Sequence, residues 1–451
     1  MAFSNTNLLH SQFRFIRDAL DGEDAIKAGG QTYVPKPDGM STQNYTHYLD
    51  RACYYGAPAM TLQALTGLAL RKDPVIKLPA RLEPMRLNAT NENAPLSIMI
   101  EEMTTEVMSM GRFGILLDFP KSDSNTSLTM PQFSTFLAES IEDFTTAYVD
   151  GKKVLTHVLL SSDEQEDGSD VHYELILEDT IYKFRRFIID DTKDRVNVGE
   201  EIIPTVGGKA LNFIPFIMVS HKGLRPEDVT PPFLTLCKVA LSHFKNSADR
   251  EHSIYLTAAP TPWIAGSISA DKVPSQIGAG SLWVLPENTQ VGLMEFTGAG
   301  VAAMKELMLE KIDTMATLGA RMLSATMNRN ETIDTATQRT RSELALLHGT
   351  VVSVETAINH LLRVAAEWVG ASPDDVSVTM SRDFIETAMD PKMIDQQFKL
   401  WMGGAISRAT LYENLQRGEI ARADRSLENE TDLIEEEGGD LSLTIPTGEA
   451  A

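Results

Sequence analysis

Helical periodicity marks two long stretches of the chain, PPFLTLCKVALSHFKNSADREHSIYL (residues 231–256) and GVAAMKELMLEKIDTMATLGARML (residues 300–323). At ~1.5 Å per residue, each helix is expected to span roughly 35–40 Å. In each stretch, one helix face is apolar and the other carries charges of both signs. The two stretches therefore predict a pair of long helices, for which an ordinary helical hairpin is the simplest interpretation.

A short segment with strand-like runs, residues 257–299, separates these two helices. Pro260 and Pro262 end the first helix, and three short apolar runs follow them. Beyond the second helix, residues 324–335 are polar and irregular. A third and longer helix is expected from about 336 to 369, where Gly370 closes it.

The sequence before residue 231 changes from helical to strand-like patterning. Helices are expected over Leu8–Leu20, within residues 42–72 and over Leu96–Met110, and a buried strand begins at 113. Residues 145–221 are rich in β-branched and aromatic residues, with acidic or glycine turns between the runs, which predicts an antiparallel β-meander. Helices on both sides of antiparallel strands give the fold class α+β.

The C-terminal part of the chain is expected to be small and helical. A strand at Val376–Met380 precedes short helices at Pro391–Met402 and Arg408–Leu415. From about Ser426 onward, the residues are acidic and few of their side chains are large, which predicts a disordered tail.

The charge balance argues against tight DNA binding. The chain of 451 residues carries 63 acidic and 40 basic side chains, a formal net charge of −23. Proteins that grip DNA present a basic face, because phosphate neutralisation supplies most of the affinity. Two interpretations of the acidity remain open: it keeps the protein soluble, or it lets a surface pass close to DNA without holding it.

The cysteines and the apolar runs indicate the compartment. Cys53 and Cys237 lie in apolar, helix-like stretches, which is typical of structural thiols in a reducing environment. The chain opens on a polar segment, and no apolar run approaches the ~20 residues of a membrane span. We expect a protein made in the cytoplasm, with no membrane partner.

No motif in the sequence predicts catalysis. Gly207-Gly208-Lys209 lacks the upstream glycine and the following Ser/Thr of a phosphate-binding loop. The acidic run Asp190–Asp194 falls at an expected hairpin turn, and the nine histidines are scattered. Because no Gly-x-Ser-x-Gly elbow occurs either, we expect no enzyme activity, no metal and no cofactor. A hydrolase with an unrecognised site is the alternative.

Several stretches, taken in order, resemble the portal proteins of tailed bacteriophages, in a podovirus-like branch often described only as a domain of unknown function. The resemblance covers about residues 8–420 and depends on the order and spacing of its parts. These parts are Tyr48–Tyr55 with Thr61–Gly67, Gly111–Pro120, Pro260–Trp263 with Leu285–Asn288, Glu295–Gly300 and Met315–Leu323.

The resemblance implies a portal fold with an α/β wing, a two-helix stem, a small β-rich clip, a long wing-crossing helix and a small helical crown. The implied boundaries are 1–230 for the wing with its meander at about 145–221, 231–256 and 300–323 for the stem, 257–299 for the clip, 324–335 for the tunnel loop, 336–370 for the long wing helix, 371–425 for the crown and 426–451 for the disordered acidic tail.

The same resemblance implies a function in the virion. About twelve copies would form a ring with two different faces per subunit at the capsid vertex, around a channel for double-stranded DNA during genome packaging and ejection. The implied partners are the terminase large subunit, which supplies ATP hydrolysis, the major capsid protein, the scaffolding protein, and head-completion or tail adaptor proteins. Another phage head–tail structural protein, such as an adaptor or tail component, is the alternative.

Candidate residues for the DNA channel follow from this implied arrangement. Lys238, Lys245 and Lys305 on the stem helices are candidates for weak phosphate contacts. In the implied tunnel loop, asparagine tolerates turn geometry and arginine reaches a phosphate. The loop residues expected to project into the channel are Met327, Asn328, Arg329, Asn330, Glu331 and Thr332.

We predict that DNA binding is weak, independent of sequence and strongly dependent on salt. A chain with a net charge of −23 leaves only local basic spots for phosphate contact. Fluorescence anisotropy with two unrelated duplexes, over a range of salt concentrations, measures both properties. A nanomolar footprint on one sequence at physiological salt would contradict the prediction.

Overall fold

A computed structural model of the chain describes most of its residues and divides into two compact units, Met1–Met380 and Ser381–Ala451. Helices and antiparallel strands both occur, so the fold class is α+β, as predicted. Among the described residues, no helix is long and apolar enough to cross a membrane. The described residues are 3–118, 130–149, 151–166, 168–189, 194–206, 208–224, 230–269, 273, 276, 282–294, 298–319, 345–382, 384, 391–418, 420–422 and 425–436.

Five helices occupy the start of the first unit, and local sequence signals account for several of their ends. The Ser41 hydroxyl caps the third helix by accepting a hydrogen bond from the Asn44 backbone N–H, 3.2 Å away. Pro58 stands in the first turn of the fourth helix, where its missing N–H costs nothing. Gly111, with φ 75°, turns the chain after the fifth. The helices are Phe3–Asp21 (α1), Glu23–Ala28 (α2), Thr42–Arg51 (α3), Ala57–Ala69 (α4) and Leu96–Ser109 (α5).

The larger sheet is a five-stranded antiparallel meander in which each strand pairs with the next along the chain. Each strand packs one face into the core and leaves the other toward solvent. The β-branched and aromatic content of these runs, and the turns between them, had predicted the strands. The strands, numbered after three earlier ones, are Ile141–Val149 (β4), Lys152–Glu166 (β5), Ser169–Glu178 (β6), Ile181–Ile189 (β7) and Arg195–Asn197 (β8).

The predicted extent of the meander, 145–221, was too long. The strand Phe216–Val219 (β11) pairs instead with Phe113–Asp118 (β2), which pairs in turn with Gln132–Phe136 (β3). Two short strands, Thr205–Val206 (β9) and Lys209–Ala210 (β10), form a separate hairpin before it. The apolar pattern of a segment identifies a strand but not the strand with which it pairs, because pairing depends on packing between distant segments.

One apolar core joins the meander to this three-stranded sheet. Gly114 permits the approach, since a Cβ there would lie only 2.6 Å from the Phe216 ring. Tyr182 is almost fully buried at the edge of this core, and burial raises the pKa of its phenol. The buried members of the cluster are Leu116, Phe136, Ile141, Val158, Leu160, Leu175, Tyr182, Leu211, Ile214, Phe216 and Met218.

The remaining elements of the first unit include the two long helices expected from the sequence. They are Leu234–Thr257 (α6) and Ala299–Leu318 (α7), separated by the strands Thr261–Ala265 (β12) and Gln290–Met294 (β13). The next helix among the described residues is Ala345–Trp368 (α8). The predicted start of the long helix, 336–344, and the predicted tunnel loop, 324–335, lie outside the described residues.

A two-stranded sheet ties the N-terminal part of the first unit to its last residues. Val75–Lys77 (β1) pairs with Ser377–Thr379 (β14), and the Asn359 side chain on α8 bonds both the N–H and the C=O of Val378, at 2.8 and 2.7 Å. The crown was expected to begin at residue 371. Residues up to Met380 belong to the first unit instead, because β14 completes this sheet.

The described residues of the second unit form three short helices, Pro391–Met402 (α9), Arg408–Arg417 (α10) and Leu427–Glu436 (α11). The last helix lies where the sequence predicted the start of a disordered tail. Ser426 accepts a hydrogen bond from the Asn429 N–H at 3.1 Å, and Arg425 pairs with Glu430 at 3.0 Å, so capping favours a helix despite the acidic composition. Residues 437–451 of the predicted tail lie outside the described range.

A buried ion cluster holds α1 against α5 and the start of β4. The Arg17 guanidinium donates to both oxygens of Glu106, each at 2.7 Å, and also to Glu139. Burial opposes ionisation of Glu139, but the hydrogen bonds from Arg17 outweigh it and lower the pKa of that carboxyl. Glu106 is buried, so its charge depends on the arginine.

We predict that Arg17→Met lowers the free energy of unfolding by about 3–5 kcal/mol at neutral pH, because it leaves the buried carboxylate of Glu106 and the partly buried carboxylate of Glu139 unpaired. Urea unfolding measures the difference, which should narrow as the pH falls through the lowered pKa of Glu139. Lys399→Met is the control, since Lys399 and its partner Asp395 are both exposed and the pair should contribute nothing measurable. Equal effects of the two substitutions would contradict the prediction.

Candidate functional site

The proximal part of α6, nearest its first residue, is firmly anchored in the first unit. Its apolar stripe packs against α1, α3 and α4. Burial raises the pKa of the Cys237 thiol to about 12, which makes this cysteine an inert part of the core. The buried residues of the stripe are Leu234, Leu236, Cys237, Ala240, His243, Phe244, Ser247 and Ala248.

Side-chain contacts continue this anchoring into the last turns of α6. The Tyr48 hydroxyl donates to Asp249 Oδ1 at 2.6 Å, and the Cys53 backbone N–H donates to Ser247 Oγ at 3.0 Å. The Arg51 guanidinium lies 3.6 Å from the centre of the Tyr255 ring. Segments from α3 and the loop after it therefore hold α6 in place up to its last turns.

Helix α7 runs antiparallel to α6. Lys311 Nζ donates to the Ser242 carbonyl oxygen at 3.1 Å and to its hydroxyl at 2.8 Å, whereas Gly319 lies against Leu236 and Thr61. As residue numbers increase along α7, the residues that face them on α6 have decreasing numbers. Burial lowers the pKa of Lys311, because the contact removes water from the ammonium group.

The strands β12 and β13 form an antiparallel hairpin between the far ends of these helices, with Thr261 opposite Met294 and Ala265 opposite Gln290. The Trp263 ring covers Gly292, where a Cβ would lie 2.8 Å from the indole. Gly298 precedes α7 with φ 72°, a left-handed conformation that glycine adopts without strain. A two-stranded hairpin is only marginally stable in water unless something covers it.

The distal part of this assembly exposes many large apolar side chains. Leu282 is 88% exposed and Val284 is 85% exposed. Monomeric proteins rarely expose so many apolar residues in one region, and such a surface usually marks a binding site. We call this set the distal apolar surface: Tyr255, Leu256, Trp263, Leu282, Val284, Val291, Leu293, Met294, Leu307 and Leu309.

The three lysines predicted from the sequence lie on these helices but do not form one cluster. Lys238 and Lys305 are exposed, and Lys245 is half-buried. Lys238 and Lys245 are seven residues apart and share the face of α6 opposite its buried stripe. Because Lys311 lies level with Ser242, Lys238 and Lys305 are separated by about 15 Å along the helix axes. No carboxylate among the described residues pairs with any of the three.

The predicted tunnel-loop residues Met327–Thr332 lie outside the described residues. The sequence reasoning did not identify the distal apolar surface or the contact between Lys311 and Ser242. A signal for the first was present in the run Ser281–Pro286, where apolar side chains crowd a segment that two glycines precede. No sequence signal identifies the second, because it depends on the register between two helices.

Comparison with known protein families finds one match, to a segment of the chain. A family model described as a domain of unknown function (DUF4055) matches residues 232–369, which include α6, the β-hairpin, α7 and α8. No curated protein sequence matches the chain.

Two solved structures show a distant likeness. A chain from the neck of a native GTA particle, computed with C12 symmetry, is 12% identical, with a TM-score of 0.41, covering 87% of this chain and 98% of that one. A chain from the virion of a native gene transfer agent (GTA) particle is 12% identical, with a TM-score of 0.43, covering 88% of this chain and 98% of that one. At these values, the likeness assigns no function to this chain.

We predict that Gly319→Ala lowers the free energy of unfolding by about 1–3 kcal/mol, because a Cβ would lie 2.8 Å from Thr61 Cγ2 and 3.0 Å from Leu236 Cδ2. Thermal unfolding and hydrogen exchange in α7 measure the change. Gly300→Ala, at the other end of α7, is the control, because a Cβ there meets nothing within 4 Å. If both variants behave like the unsubstituted protein, Gly319 does not fix the position of α7.

Proposed function

We propose that this chain is a structural subunit of a phage-type head–tail connector and, more specifically, a portal subunit. In this proposal, copies of the chain assemble into a ring around a channel for double-stranded DNA. The observation that carries it is the distal apolar surface on a two-helix assembly whose proximal end is anchored in a folded unit. The order of elements, which resembles that of portal proteins, supports the same conclusion.

The distal apolar surface favours self-association through different faces. Its members lie on α6, on both strands of the β-hairpin, on the segment between those strands and on α7, so no single flat partner covers them all. In a head-to-tail interface, one face of a copy meets a different face of the next copy. Such an interface covers two sides of the α6–β-hairpin–α7 assembly in each copy. When the rotation between copies closes, such an interface generates a ring, whereas a two-fold dimer leaves one side exposed.

The charge distribution supports a channel that conducts DNA without binding it tightly. The exposed lysines Lys238 and Lys305 offer isolated contacts on a chain whose net charge is −23. Weak contacts separated along a helix hold a polyanion only briefly, so the DNA keeps moving. The resemblance to portal proteins implies that residues 324–335, which lie outside the described residues, form the tunnel loop of this channel.

The proposed location and partners follow from the portal assignment. The ring would occupy the capsid vertex of the virion and contact the major capsid protein and the scaffolding protein during assembly. It would also dock the terminase large subunit and, later, head-completion or tail adaptor proteins. The chain itself would act without catalysis, since its sequence contains no phosphate-binding loop and terminase would supply the ATP hydrolysis.

We predict that the purified protein forms closed rings with a central hole, visible end-on by negative-stain electron microscopy and as one large species by mass photometry. Compact monomers under all conditions would overturn the assembly proposal. If the hole were too narrow for duplex DNA, a head–tail structural role would still be supported, but the portal function would be excluded.

The double variant Leu307→Ser/Leu309→Ser tests whether the distal apolar surface drives assembly. These residues are 44% and 55% exposed and lie about 200° apart around α7, so the double variant changes two opposite faces of the helix. Burial of one leucine contributes about 1.5–3 kcal/mol per interface, and its loss should reduce the ring fraction at least about tenfold. The control is Glu306→Ser/Glu310→Ser, which changes exposed charged positions on the same helix.

A further inference from the structure

A buried histidine lies in the contact between α6 and α7 with no hydrogen-bond partner. His243 is 5% exposed, and neither Nδ1 nor Nε2 bonds to any described residue. Its ring lies 5.9 Å from the Tyr55 ring, tilted by 50°. A neutral imidazole tolerates such a site, whereas an imidazolium would be a buried and unpaired charge.

The closest charged group on the facing helix is positive, as a protonated His243 would be. Lys311 Nζ is held at Ser242, the residue immediately before His243, and forms no ion pair with a described carboxylate. Burial lowers the pKa of His243, and the positive charge of Lys311 lowers it further. On α7 itself, the neighbouring Glu310 only partly offsets the burial of Lys311.

The other elements packed on α6 supply no counter-charge to His243. Helix α4 contains no charged residue, and the loop before it presents the Tyr55 ring. On α1, Arg17 is bonded to its two glutamates and Asp18 to Tyr33. On α3, Tyr48 bonds Asp249, further along α6, and Arg51 covers Tyr255.

We propose that His243 makes the contact between α6 and α7 sensitive to acid. Protonation would place a second positive charge beside Lys311 in a seam where no described carboxylate pairs with either group. The contact at Ser242 would then weaken, and the C-terminal half of α7 would separate from α6 while α6 stays anchored. Because the device resides within one chain, it does not depend on ring formation.

The sign of the effect follows from linkage. A histidine that is neutral when folded and titrates at its ordinary pKa of about 6.5 when unfolded contributes stability that is fully present above that pH. Its contribution is lost as the pH falls below about 6.5, because the unfolded chain then binds the proton more readily. The α6–α7 contact should therefore be intact at pH 7.5 and weakened at pH 5.5.

Hydrogen exchange with mass spectrometry on the full-length protein tests this proposal. We expect exchange in peptides covering 305–319, corrected for intrinsic rate, to be at least about threefold faster at pH 5.5 than at pH 7.5, with α8 unchanged. In His243→Gln the pH difference should disappear. His360→Gln, which changes an exposed histidine on α8, is the matched control and should behave like the unsubstituted protein.

A second variant keeps the proposal testable if His243→Gln fails to fold. Lys311→Gln retains a hydrogen-bond donor toward Ser242 but removes the charge, so the acid response should shrink. The proposal is wrong if α7 exchanges equally at both pH values in the unsubstituted protein, or if His243→Gln keeps the full acid response. Mass photometry at both pH values reports assembly separately, so failure of the ring proposal and failure of this one remain distinguishable.

Discussion

Burial of the proximal half of α6 is the interaction on which the rest of the first unit depends. Phe244 and Ala248 are fully buried in the stripe that faces the N-terminal helices. Removing a buried phenylalanine typically costs several kcal/mol, because lost transfer free energy and an unfilled cavity add together. The position of α7, and of the hairpin beyond it, follows from this anchoring, since α7 contacts the unit chiefly through α6.

The proximal and distal halves of the α6–α7 helix pair differ in packing and not in composition. Apolar residues recur along both, yet the proximal ones are covered and the distal ones face solvent. A folded chain leaves apolar side chains exposed in this concentration when another surface covers them in the working assembly. The hydrophobic effect therefore fixes the proximal half within one chain and is available to join copies at the distal half.

The sequence predicted the long helices and the meander strands well, because each signal was local. Periodicity and the prolines near 260 placed most ends of the long helices within a few residues. Strands such as Val75–Lys77 and Gln132–Phe136 were not predicted, since short segments acquire strand structure from distant partners. Of the candidate site, the lysines were placed on the correct helices, but the distal exposure and the environment of His243 depend on which residues become covered, a property of tertiary packing.

The pairing of β1 with β14 has a consequence for how the protein is made. Val75 meets Thr379, so the N-terminal part of the first unit cannot complete its structure until the ribosome has synthesised roughly 300 further residues. Closing so long a loop is entropically costly and slow, and β1 lacks its partner throughout that interval. In a nascent chain of this protein, β1 therefore stays unpaired until nearly the whole of the first unit has been synthesised.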